Sequence, residues 1–140
     1  MAVYDGTNFL ASSIGISANA AADIFVPIPS GAKRVIFDKC TFTNPSATLA
    51  SATTTAGVYT AVSAGGSAIS TSATGNLTPL TAAAKFKDGT IASPATTDAL
   101  LLLQQTTGVN AGQTGVFVNV GGTPNVAATF DVYIQGRILT

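Results

Sequence analysis

Val116-Phe117-Val118-Asn119-Val120, then Gly121-Gly122-Thr123-Pro124-Asn125, then Phe130-Asp131-Val132-Tyr133-Ile134-Gln135: this stretch decides the fold class. Val116, Val118 and Val120 recur at every second position, as do Phe130, Val132 and Ile134, so each run places one apolar face on a pleated strand. The glycine, proline and asparagine between them are turn chemistry, and the spacing predicts a hairpin.

The same period recurs upstream. Ile24, Val26 and Ile28 alternate before a turn at Pro29-Ser30-Gly31. In Arg34 to Thr43, strict alternation sets Ile36, Cys40 and Phe42 on one face with Asp38, and Val35 and Phe37 on the other with Lys39. Asn44-Pro45 ends that strand. Gly57 to Ser63 reads as a strand, Ala64-Gly65-Gly66 as a turn, and Ala68 to Ser70 as a segment pairing back across it. Thr78-Pro79 resembles a helix cap, which predicts a one- or two-turn helix to about Lys85. Asp88-Gly89 between Phe86 and Ile91 is a hairpin signal. Ala99 to Gln105, with four consecutive leucines, fits a buried strand or a helical segment. Residues 1–22 hold isolated anchors, Tyr4, Phe9, Leu10, Ile14 and Ile16, and read as an arm along a surface or as an edge strand. Residues 23–140 read as a single domain.

Composition agrees with the periodicity. Val, Ile and Thr total 41 of 140 residues, and β-branched side chains suit sheets. About eight strands joined by long Ser/Thr/Ala connections imply an all-β antiparallel sandwich, jelly-roll-like, with at most one short helix.

Charge is the unusual quantity. Only 9% of residues are charged, the net charge is zero, and nothing from Thr41 to Ala84 carries a charge. His, Glu and Trp are absent. Acid–base and metal chemistry would rest on six Asp, four Lys and Cys40, and no two aspartates lie within four residues of each other. Cys40 has no histidine to activate it and sits mid-strand among apolar residues, which reads as an inert buried thiol. The expectation is therefore no enzyme, no catalytic residue, no metal and no cofactor. Six basic against six acidic residues offer no field for nucleic acid, and no apolar run is long enough for a membrane helix. No basic region precedes Lys33, so no signal peptide is expected and synthesis is assigned to a cytoplasm. An uncharged, hydroxyl-rich surface gives up little hydration on contact, which favours a protein held in an assembly.

Three segments carry a family resemblance: Ile24-Phe25-Val26-Pro27-Ile28-Pro29-Ser30-Gly31-Ala32-Lys33-Arg34-Val35, Ala56 to Ala61 with its Gly65-Gly66 turn, and Phe130 to Arg137. Together they resemble the capsid cement (decoration) proteins of tailed bacteriophages, of the jelly-roll kind. The resemblance implies a virion structural protein, made in a bacterial host, that binds the outer capsid surface and bridges neighbouring capsid subunits. Its implied partners are the major capsid protein and further copies of itself, as a dimer in preference to a trimer. Tyr4, Phe9 and Leu10 would be interface anchors of an amino-terminal arm, and removing Met1 to Leu10 would leave the sandwich folded. From the residues themselves, Lys33-Arg34 reads as solvated charge at a strand start, with a rim salt bridge to an acidic partner as the functional alternative. The same features fit a receptor- or glycan-binding module of a phage tail or head fibre, with Tyr59 or Tyr133 as the sugar platform.

Overall fold

The computed structural model describes residues 8–28, 34–49, 54–70, 77, 80–81, 85–91, 104–122 and 127–139. They form eight strands: β1 (Asn8–Ser17), β2 (Ile24–Pro27), β3 (Arg34–Thr43), β4 (Thr55–Ala61), β5 (Gly65–Ser70), β6 (Phe86–Gly89), β7 (Gly115–Gly121) and β8 (Thr129–Leu139). The strands build two antiparallel four-stranded sheets, ordered β1-β8-β3-β6 and β2-β7-β4-β5. First pairs with last, second with seventh, third with sixth and fourth with fifth. That nesting is a jelly-roll-like sandwich, as the strand pattern predicted.

The core lies between the sheets. Val26, Val58, Val116 and Val118 face it from one side, and Val35, Phe37, Phe42, Phe130, Val132 and Ile134 from the other. Phe42 and Phe130 meet edge-on with centroids 6.2 Å apart. Leu49, Leu77 and Leu80 come from connections rather than strands, yet all three are fully buried. A chain of backbone bonds pins them: Leu77 N donates to Thr54 O, Leu80 N to Leu77 O, and Leu49 N to Leu80 O. Each such side chain contributes about 2 kcal/mol on burial, so the connections help close the core.

Four sequence expectations are corrected. The strands β7 and β8 exist, but they are no hairpin: they lie in different sheets. Alternation fixes which side chains point inward, and that requirement is the same for hairpin partners and for strands facing each other across a core. In β3, Val35, Phe37, Cys40 and Phe42 all point into the core. The register against β8 shifts between Phe37 and Lys39, so Asp38 is an extra residue that resets the period. Asp88-Gly89 is not a turn but part of β6, opposite Thr41 and Cys40. Glycine is required there, because a Cβ on Gly89 would lie 2.6 Å from Ser70 Oγ and 3.2 Å from the Phe42 ring. Leu77, Leu80 and Thr81 are non-helical; the rest of the expected helix, 78–79 and 82–84, lies outside the described residues, as does Ala99 to Leu103.

The β4–β5 hairpin holds, with its turn at Val62-Ser63-Ala64 just ahead of the expected glycines. Of the two readings for the amino-terminal segment, an edge strand describes 8–17, which pairs with β8. Met1 to Thr7 lie outside the described residues.

Candidate interaction face

The outer face of the β1-β8-β3-β6 sheet carries the ion pairs found among the described residues. Asp38, displaced outward by the bulge in β3, receives both the Nε (3.0 Å) and Nη2 (2.9 Å) hydrogens of Arg137. Those hydrogen bonds, and then the carboxylate charge, raise the Arg137 pKa further. Lys39 Nζ lies 3.3 Å from Asp88 Oδ2, and Thr41 Oγ1 donates to Asp88 Oδ1 at 2.8 Å. Four formal charges are thus neutralised within the face itself. Its large apolar side chains stand at the margins: Leu10 (61% exposed) and Ile14 (62%) on β1, and Phe86 (67%) on β6. A shallow hollow of about 460 Å³ opens between Asn8, Leu10, Asp38 and Gln135.

The opposite sheet is covered along its aromatic row, but a hollow of about 560 Å³ opens beside Phe117 and Asn119, lined also by the exposed Val62 and Val109. On its outer side Phe25 and Phe117 pack with centroids 5.3 Å apart, and Tyr59 sits beside Phe117 in register. The segment 104–114 doubles back on itself through a Gln104–Thr114 bridge and bonds from Gln105 N to Gln113 O and Gly112 N to Gln105 O. Gln105 Nε2 then donates to Thr60 O and Gly115 O, strapping this segment beside the aromatic row. Phe117 and Tyr59 are both buried. Tyr59 therefore presents no platform to a sugar, while Tyr133 is partly exposed. Nearby, Asp23 accepts from Ser63 N and from Asn119 Nδ2, tying the β4–β5 turn to β7.

The residues singled out in the sequence separate. Phe9 is 8% exposed and meets Phe37 edge-on at 6.1 Å, so it belongs to this protein's own core and not to an arm. Gly136 makes room for it: a Cβ there would lie 2.8 Å from the Phe9 ring and 2.5 Å from Ile36 O. Deleting Met1 to Leu10 would remove Phe9 and open the core, contrary to the expectation above; a truncation that spares the sandwich stops before Asn8. Leu10 is exposed as an anchor requires. Arg34 begins β3 opposite Leu139, and its side chain, like Tyr4 and Lys33, lies outside what is described. Cys40 is free and buried, and burial, with the Asp88 charge, pushes its thiol up to about 12. Among the described residues no three His, Cys, Asp or Glu side chains come together as metal ligands, and no helix is long and apolar enough to cross a membrane.

Two features escaped the sequence reading. Phe86 completes the apolar margin opposite Leu10 and Ile14, and nothing in the uncharged stretch before it signalled that exposed position. Asp131, buried in β8, accepts from Gly15 N at 2.8 Å and Asn44 Nδ2 at 2.9 Å. It holds the bulge in β1 and the left-handed residue after β3, whose φ is 50°. Comparison of the chain with protein-family models, with curated proteins and with solved structures returned no match.

Proposed function

We propose that the protein is a non-enzymatic virion structural protein that binds the outer surface of a tailed-phage capsid and stabilises it by bridging neighbouring subunits. The observation that carries this reading is the outer face of the β1-β8-β3-β6 sheet. Asp38 is matched by Arg137 and Asp88 by Lys39 inside the face, so docking these four described charges strips no unpaired ion of water. The exposed Phe86 ring supplies an apolar contact at one margin. The resemblance of 24–35, 56–61 and 130–137 to capsid cement proteins supports the shell as the partner. The burial of Tyr59 weighs against a glycan platform there.

Co-sedimentation of the purified protein with expanded shells lacking it tests the reading. Saturable binding is expected, and Phe86→Asp, on a side chain outside the core, should weaken it by about tenfold. Failure of the unaltered protein to co-sediment at saturating concentration would sink the proposal.

A further inference from the structure

A sheet edge offers unpaired N–H and C=O groups, and folded proteins protect such edges with charge, proline, bulges or short length. Among the described residues three of the four edges are protected along their length, and the fourth only by a bulge at Ile14-Gly15. The β6 edge is four residues long and carries Lys87 and Asp88. The β2 edge is also four residues long and ends in Pro27. The β5 edge opens with two glycines and slips register twice against β4. The remaining edge, β1, runs for ten residues as Asn-Phe-Leu-Ala-Ser-Ser-Ile-Gly-Ile-Ser, with no charge and no proline. Among the described residues its only ladder is the one to β8, and its single register shift begins after Ser13.

The side chains on that edge specify a partner. Leu10, Ser12 and Ile14 share the outer face, and Leu10 and Ile14 are each more than 60% exposed. In an antiparallel pair, directly opposed residues lie on the same face. A two-fold axis through Ser12 therefore sets Leu10 of one copy against Ile14 of the other, twice, with Ala11 against Ser13. Both exposed apolar side chains of β1 are then covered, and both core faces stay aligned. An axis one residue away, through Ala11, would set Leu10 against Ser12 and Ile14 against Asn8, and would leave both partly bare.

We infer that β1 pairs antiparallel with β1 of a second copy about a two-fold axis through Ser12, joining two four-stranded sheets into one of eight. The occupant is this chain and not another strand, because the Leu10–Ser12–Ile14 spacing is its own complement. The pairing forms without any shell, so it stands or falls apart from the capsid reading. A joined sheet would also present two docking faces to neighbouring subunits, which deepens that reading.

Sedimentation of the full chain in solution should show a reversible monomer–dimer equilibrium. Ile14→Lys should weaken it by about tenfold or more while leaving the circular dichroism unchanged, since the Ile14 side chain is outside the core. Register is read by crosslinking. Opposed Cα atoms about 4.5–5.5 Å apart suit a disulfide, so Ser12→Cys should lock a dimer on mild oxidation, with the buried Cys40 taking no part. Leu10→Cys should not link to itself but should link to Ile14→Cys in a mixture of the two chains. A chain that stays monomeric at its highest soluble concentration overturns the inference. So does a dimer in which Ser12→Cys fails to crosslink.

Discussion

The Cys40 thiol, pushed up to about 12 by burial and secondarily by the Asp88 carboxylate, links stability to alkaline pH. An unfolded thiol ionises near 9.0, so between about pH 9 and 12 the unfolded chain releases a proton that the native state keeps. The native pKa is the higher one. Stability is therefore untouched by this group below about pH 8 and falls above 9, at a slope approaching about 1.4 kcal/mol per unit. Urea melts across that window should show the decline, and Cys40→Ala should flatten it by that slope; equal slopes would refute the assignment. The inert thiol was legible in the sequence because the chain has no histidine to activate it and Cys40 alternates with apolar residues in its strand. The place of Phe9 was not, since an aromatic in an uncharged segment looks alike whether it fills its own core or another's. Asp131 hid for a different reason: its partners Gly15 and Asn44 are 116 and 87 positions away.

At the scale of elements, the β4–β5 turn places Ser63 and Ala64 at φ values of 58° and 54°. Those are the two left-handed central positions of a two-residue hairpin loop, where Asn-Gly is preferred. Ala64→Gly should therefore raise stability, by about 1 kcal/mol in a denaturant melt; a loss of stability would show that the turn carries no strain at this residue. Strand positions were readable wherever bulky residues alternate, as in β7 and β8. Two things were not. The bulge at Asp38 reverses the facing of half of β3 with no warning in residue type. Pairing partners are also silent, because the inward alternation of Val116 and Phe130 is satisfied equally by neighbours and by strands across the core. The β1 edge was readable only in part, since its alternation uses alanine and serine as often as leucine and isoleucine.

For the whole molecule, the low charge becomes a statement about salt. The described ion pairs are between side chains 42–48% exposed, and such pairs contribute about 0–1 kcal/mol each. No described charge lies in the main core cluster. Raising sodium chloride from low concentration to about 1 M should therefore shift unfolding stability by no more than roughly 1 kcal/mol, as read by urea melts at the two salt levels. A larger loss would mean that charge carries more of the stability than these pairs suggest. Composition made this property visible at once, whereas the face that uses it emerged only when β3 and β8 were side by side.

The position of β8 has a consequence in time. It is the last of the eight described strands, yet it sits second in its sheet, filling the gap between β1 and β3. While the ribosome is still making it, β1 and β3 have no common neighbour and half the core lacks Phe130, Val132 and Ile134. Early strands must wait for the last one, which makes folding slow and all-or-none with respect to chain length. A product that stops short of β8 would leave β1 separated from the β3–β6 pair. Only chains translated through β8 can complete that sheet and the core beneath it.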